Sequence, residues 1–148
     1  MPIRERIDAV EHVRQWTDSI PLHYEYTSGV AGERFLRGLQ KGKILAGYCS
    51  LCKVNSLPLR TYCVRCYGPI RRKVALVPLG TVAALTTAKS KPNSLATFIF
   101  VRFEDTTGGL MHRLIGAAEP GDRVRPRFKP KRERTGSILD IVGFKRVR

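Results

Sequence analysis

The sequence lacks a continuous apolar run of the roughly 18 residues that a membrane-spanning helix requires. Its amino-terminal stretch, MPIRERIDAVEHVRQW, is charged and has no apolar core of the kind that a signal peptide contains. We therefore expect no membrane association and a cytoplasmic location. The sequence also lacks a serine-centred nucleophile elbow, a glycine-rich phosphate-binding loop and a close pair of carboxylates. It therefore has none of these motifs of common enzyme classes.

Histidine is scarce, and the three histidines lie in different segments, at His12, His23 and His112. None has an orienting partner nearby in the sequence, as a general base would need. The sequence therefore predicts no catalytic residue, and we expect a protein that is not an enzyme by itself.

Acidic residues are few, with 12 Asp and Glu against 27 Lys and Arg, which gives a formal net charge of +15 over 148 residues. Such an excess favours an anionic partner, for example nucleic acid, a phosphorylated cofactor, an acidic protein or a membrane surface. The net charge alone does not indicate which of these partners the protein binds. The chain is 43% hydrophobic, which is enough for a packed core in one medium domain or two small ones.

All four cysteines lie between residues 49 and 66, in two Cys-x-x-C pairs separated by ten residues. Each pair can aim two sulfurs at one ion, so Cys49, Cys52, Cys63 and Cys66 match a tetrahedral four-thiolate site. Zinc is favoured over iron because it is the commoner structural ion for such a ligand set. A folding role is predicted because four cysteines leave no open position for catalysis. A thioredoxin-like redox site would explain only one of the two pairs.

The sequence pattern predicts helices in the first forty residues. In residues 1–20 apolar side chains recur every three positions, at Ile7, Val10, Val13 and Trp16, and a second helix with an apolar face at Phe35, Leu36 and Leu39 is predicted in AGERFLRGLQKGKI. The first stripe either covers the core or docks on another subunit. The aromatic pair of IPLHYEYTSG has the same two readings. The partner-docking reading therefore assigns Val13, Trp16, Tyr24 and Tyr26.

From Lys73 onward the pattern changes to β-branched and apolar runs separated by turns. Five strand-like runs predict a small antiparallel barrel. We therefore predict an α+β fold with an N-terminal helical segment over 1–45, a metal-binding ribbon over 46–72 and a barrel over 73–148.

The run RVRPRFKPK alternates, with Val124 and Phe128 on one side of the chain and cations on the other. This cationic ridge consists of Arg123, Arg125, Arg127 and Lys129. Phosphates of a ligand could lie along it. The alternative is a solvated outer face whose charges discourage edge pairing.

The order of helices, cysteine ribbon and barrel resembles the domain-of-unknown-function family thirty-five (DUF35), and its archaeal members in particular. The likeness lies in WTDSIPLHYEYTSGVAGERFLRGLQKGKILAGYCSLCKVNSLPLRTYCVRC, followed by GTVAALTTAK. The resemblance implies a rubredoxin-like zinc ribbon and a C-terminal OB-fold barrel.

The resemblance also implies a non-catalytic acyl-CoA-binding or scaffold subunit. Its partner would be a thiolase-type or hydroxymethylglutaryl-CoA synthase-type enzyme, and relatives pair with a hydratase or an aldolase. CoA or acyl-CoA would be the ligand. The alternative is a nucleic-acid-binding zinc-ribbon and OB-fold protein, which needs exposed aromatic rings on the barrel strands. Phe98 and Phe100 share one alternating face there, and Phe103 does not.

Overall fold

The computed structural model describes residues 21–91 and 94–147. The predicted first helix, with Val13 and Trp16, lies outside these ranges. The described part is a mixed α+β structure with an α-helix and two sheets, so the predicted α+β class is confirmed. Among the described residues, no helix is long and apolar enough to cross a bilayer.

The elements follow in chain order. The helix α1 covers Gly29–Gln40, and two short 3-10 helices, η1 and η2, cover Lys131–Glu133 and Ile138–Asp140. The strands are β1 Leu45–Cys49, β2 Val54–Leu57, β3 Arg72–Ala75, β4 Gly80–Lys91, β5 Ser94–Phe103, β6 Thr106–Gly108, β7 Leu110–Ile115, β8 Arg123–Phe128 and β9 Ile141–Arg146.

The helix α1 forms where the second apolar face was predicted. Phe35 and Leu39 are buried, and Leu36 packs against the same core. The helix ends four residues earlier than the sequence pattern, because Gly42 takes a positive φ of 73° and its N–H donates to the Leu39 carbonyl at 2.8 Å. The turn lets Ile44 enter the core just before β1 instead of continuing the helix.

The cysteine segment builds the first sheet, whose strand order is β3-β1-β2-β6. A hairpin joins β1 to β2, and β3 pairs with the other edge of β1. The last strand, β6, comes from a distant part of the chain and pairs in parallel with β2. Only glycine fits at Gly108, because a Cβ there would lie 2.1 Å from the Leu57 carbonyl oxygen and φ is +85°.

The second sheet is a closed five-stranded barrel with the order β4-β5-β7-β9-β8. Its five strands come from the five predicted runs. The prediction of a wholly antiparallel barrel is wrong at one position, since β7 and β9 are parallel, with Leu114 opposite Phe144. The chain passes through β8 before it reaches β9, so no hairpin links the parallel pair.

One hydrophobic cluster joins the helix, the first sheet and the barrel. Leu39 from α1, Leu57 from β2 and Phe144 from β9 are all members and are at most 1% exposed. The cysteine knuckles carry only a second, much smaller cluster, which contains Cys49, Cys63 and Ile70. The base of the ribbon is thus held by the main core, whereas the knuckles have little apolar packing of their own.

Candidate metal centre and flanking surfaces

Two tight turns position the four cysteines. Cys49 ends β1, and its sulfur accepts a hydrogen bond from the Cys52 N–H at 3.4 Å. In the second turn the Cys63 sulfur accepts from the Arg65 N–H at 3.4 Å, and the Tyr67 N–H donates to the Cys63 carbonyl at 2.9 Å. Main-chain donors aimed at sulfur are what a thiolate-rich knuckle requires, so each turn is built around its cysteine pair.

The four sulfurs converge. Their Sγ atoms all lie within 4.8 Å of one another, and those of Cys49 and Cys66 are 3.6 Å apart. For a tetrahedral ion with sulfur ligands at about 2.3 Å, the sulfurs would be about 3.8 Å apart. The separation is too long for a disulfide bond, and all four cysteines are free. The donor set and its size therefore fit a structural metal such as zinc.

The surroundings of the thiols shift the pKa of Cys52 and the pKa of Cys63 in opposite directions. The Cys66 side chain, together with burial and the other two thiols, raises the pKa of Cys52 to about 12. The main-chain N–H groups of Cys66 and Arg65 lower the pKa of Cys63 to about 6. The two shifts have opposite directions within one cluster, and a metal ion would bind all four sulfurs as thiolates.

The cationic ridge follows β8. Arg123, Arg125 and Arg127 are exposed, while Val124 is buried and Phe128 packs against the core, so the predicted alternation is present. Alternate residues of a strand are about 6.6 Å apart, which spreads the three guanidinium groups along one line. The two ends of the ridge border different cavities. Arg123 lines a cleft with Glu104 and Asp105, and Lys129 is not among the lining residues of that cleft.

Lys129, the last residue of the ridge, lines a largely apolar groove of about 540 Å³. Met111 and Leu139 are 69% and 63% exposed at this groove. His112 also lines it, and its Nε2 lies 3.3 Å from the Ile138 carbonyl oxygen. Sequence analysis missed this groove, although a methionine at an outward position of β7 was a signal for it.

Two of the four residues predicted to dock on a partner fall in the described chain, and both are exposed. Tyr24 and Tyr26 precede α1 and are 65% and 87% exposed. Their rings contact each other edge to face, with centroids 5.0 Å apart. Neither ring packs into the described core. The docking interpretation of these two tyrosines therefore stays a prediction.

The barrel phenylalanines do not form an exposed platform. Phe103 is buried and meets Phe144 edge to face at 6.4 Å between centroids, while Phe98 and Phe100 are half-buried. The base-stacking surface that the nucleic-acid alternative requires on the barrel is absent from these three positions.

No protein-family model matches the chain, and no curated protein is similar to it. Among solved structures it is similar to a protein of unknown function from the DUF35 family of Sulfolobus solfataricus, solved at 1.80 Å, with 26% identity and a TM-score of 0.65. That match covers 83% of this chain and 87% of the other.

A second similar structure is the Ltp2–ChsH2(DUF35) aldolase, with 17% identity, a TM-score of 0.59 and coverage of 76% of this chain and 91% of that chain. At this identity the likeness shows the fold alone. The structural neighbours of the chain are proteins of the DUF35 family, so the resemblance to that family predicted from the sequence is confirmed.

Proposed function

We propose that the chain is a non-catalytic accessory subunit, of the archaeal type, that binds an acyl-CoA enzyme of the thiolase or hydroxymethylglutaryl-CoA synthase class. A DUF35 protein stands in a complex with an aldolase in one of the similar structures, which supports an enzyme as the partner. The observation that carries the proposal is the exposed pair of Tyr24 and Tyr26. Two large aromatic rings beside each other on a surface are typical anchors of a protein interface.

A non-catalytic role agrees with the chemistry of the described residues. His112 contacts a main-chain carbonyl instead of a nucleophile. Four sulfurs would fill every position of a tetrahedral ion, which leaves none for water or substrate. The metal is therefore assigned a folding role in this proposal and no reaction is routed through it.

Zinc is the proposed ion, and the knuckles the proposed rubredoxin-like ribbon. The four-cysteine set suits zinc and a mononuclear iron alike, and zinc is the commoner structural ion. Four free thiols close together persist in a reducing compartment, which supports a cytoplasmic location.

The barrel is proposed to be an OB-fold. Its strands are adjacent in the order first, second, third, fifth and fourth, and they close into a five-stranded barrel. A small closed barrel with a Greek-key crossover is the architecture of that fold.

Acyl-CoA is the proposed ligand of the barrel surface. Arg125 and Arg127 would contact phosphates, and Lys129 joins this charged ridge to the apolar groove beside Met111 and Leu139. A line of cations that leads into an apolar groove matches a molecule with an anionic end and an acyl chain.

The docking role is tested with Tyr24→Ser/Tyr26→Ser. The metal-loaded chain is co-expressed with each thiolase-type, synthase-type and aldolase enzyme of its own genome, and the mixtures are separated by size-exclusion chromatography. We expect the wild-type chain to co-elute with one of these enzymes. The double variant should lose at least about thirtyfold in affinity, because even one aromatic anchor contributes about 2 kcal/mol or more.

Leu85→Ser/Leu95→Ser is the matched control, since it also removes two exposed apolar side chains and leaves both tyrosines and the proposed acyl-CoA groove in place. This control should co-elute with the enzyme like the wild type. Equal losses in the two double variants would contradict the assignment of the tyrosines, and co-elution with none of the enzymes would contradict the accessory role itself.

A further inference from the structure

Acidic residues are missing from a long central part of the chain. Residues 34–103 contain no Asp or Glu, and the ribbon lies within this range. Its cations are Lys53, Arg60, Arg65, Arg71 and Arg72, and all five are exposed. The ion pairs of the described chain involve Glu33, Asp122 and Glu133, none of which belongs to the ribbon. Among the described residues, no carboxylate forms an ion pair with these five cations.

Aromatic rings lie among these cations. Tyr67 is 78% exposed, and Tyr62 is about half exposed. The guanidinium of Arg72 lies over the Tyr48 ring, 5.3 Å from its centroid. Three of the five tyrosines of the chain thus lie on the ribbon, between its arginines.

A cleft in the ribbon brings the Arg72–Tyr48 pair together with Arg71, and Gly68, the residue after Tyr67, also lines it. It measures about 400 Å³, and Tyr48, Leu51, Pro69, Arg71 and Arg72 are among its lining residues. A Cβ on Gly68 would contact Leu51 and the Cys66 sulfur at 3.4 Å, so the two knuckles meet closely at this wall. Tyr67 has a φ of 56° and its N–H is bonded to the Cys63 carbonyl, which fixes the position of its backbone.

We propose that this face of the ribbon binds single-stranded nucleic acid. Bases would stack on the exposed tyrosine rings and on the Arg72–Tyr48 pair, and phosphates would pair with Arg71, Arg72 and their neighbours. The cleft has the volume of a small-molecule site and suits one base with its phosphate. This activity is separate from the proposed acyl-CoA site, which lies on β8 and the barrel groove.

An acidic protein surface would use the same cations, so the two partners must be distinguished. Such a surface would pair with the arginines and leave the flat faces of Tyr48 and Tyr67 without a matching group. Single-stranded nucleic acid uses both features. Its phosphates pair with arginines, and its bases stack on aromatic rings because every base has a π-face. The observations therefore favour nucleic acid.

The test is fluorescence anisotropy of a fluorescein-labelled 12-nucleotide oligouridylate with the metal-loaded full chain at several KCl concentrations. We expect binding that weakens with salt, with a slope of log K against log [KCl] of about −0.7 for each phosphate contacted. Arg71→Gln/Arg72→Gln should weaken binding about tenfold or more and make the slope less steep by about 1.4.

Two further comparisons distinguish a specific binding site on the ribbon from attraction by the overall positive charge of the chain. Lys131→Gln/Arg132→Gln removes two exposed cations of η1 and should leave oligouridylate binding nearly unchanged. Tyr67→Phe should bind like the wild type, whereas Tyr67→Ser should lose about 1 to 3 kcal/mol, which is about fivefold to a hundredfold in affinity. Since Tyr67 is exposed, both variants are expected to fold and keep their metal.

Several results would overturn the proposal. If Arg71→Gln/Arg72→Gln and Lys131→Gln/Arg132→Gln weakened oligouridylate binding equally, the binding would depend only on the overall charge of the chain. Equal binding by Tyr67→Phe and Tyr67→Ser would exclude stacking. Binding of poly-L-glutamate without binding of oligouridylate would assign the face to an acidic polypeptide, and binding of neither probe would leave the face without an anionic ligand.

Discussion

Substituting Cys63 by serine is expected to remove the bound metal and to lower the melting temperature by about 10 °C or more. The knuckles have a very small cluster of buried residues, formed by Cys49, Cys63 and Ile70, so they cannot fold on apolar packing alone. At a structural metal site the binding energy is folding energy. The loss should reach the barrel as well, because Leu57 and Leu59 of the ribbon belong to the main core.

The measurement is metal content by elemental analysis, together with a thermal melt of the same sample. Ser50→Ala is the matched control, since it lies in the same turn between Cys49 and Cys52 and is exposed. It should keep one equivalent of zinc and the wild-type melting temperature. A Cys63→Ser protein that retains both would show that the knuckles do not depend on a four-sulfur site.

Replacing Asp140 by alanine is expected to cost about 3 kcal/mol of unfolding free energy, because it removes a buried charged acceptor. Asp140 is fully buried and lies in η2. Its carboxylate accepts hydrogen bonds from the main-chain N–H groups of Thr135, Gly136 and Ser137, at 2.9, 2.8 and 3.3 Å. Without the carboxylate these donors would lose their partner, and the loop from β8 to β9 would lose its anchor.

The effect should depend on pH. Burial opposes the charged form of Asp140, but the three N–H groups outweigh it and Lys129 adds to them, so its pKa lies below the ordinary value of 3.8. A carboxyl with a depressed pKa contributes stability that is present above the unfolded pKa. That stability is lost as the pH falls through the folded pKa. The difference between the wild type and Asp140→Ala should therefore be constant near neutral pH and shrink below about pH 4.

Urea unfolding between pH 3 and 7 measures this difference. Glu133→Ala is the control, because it removes one acidic charge from the same loop at an exposed position, where its contact with Arg132 at 3.6 Å contributes little. A loss of stability in Asp140→Ala that equals that of Glu133→Ala would contradict the role of Asp140. So would a difference that does not change between pH 7 and pH 3.

Local patterns in the sequence predict much of the fold. The spacing of Cys49, Cys52, Cys63 and Cys66 has a direct geometric meaning, and the structure brings their sulfurs together. The face of α1 and the strands of the barrel follow from periods of 3.6 and 2, because those periods decide which side chains reach the core. The alternation of Val124 with its neighbouring arginines is an example.

Features that depend on distant contacts are not visible in such patterns. The strand β6 is three residues long and forms because Thr107 and Gly108 meet Ser56 and Leu57 from another part of the chain. In the sequence, nothing distinguishes Asp140 from an ordinary surface acid. Its hydrogen-bond donors, such as the Gly136 N–H, come close only when the loop has folded. The groove beside Lys129 likewise needs three strands and η2 to assemble, and its lining residues are far apart in sequence.

The exposed tyrosines show where sequence alone leaves two readings. An aromatic residue such as Tyr26 is compatible with a core and with an interface, since both bury it in the end. In the structure the ring of Tyr26 lies outside the described core. Whether a partner covers this ring is tested by the binding experiment on Tyr24→Ser/Tyr26→Ser.

The most direct test of the proposed function measures acyl-CoA turnover by three samples, namely the metal-loaded chain alone, the enzyme that co-elutes with it, and their complex. The account predicts background turnover by the chain alone and a higher rate for the complex than for the enzyme by itself. Turnover by the chain alone would contradict the non-catalytic assignment. A complex that is no faster than the free enzyme would contradict the accessory role.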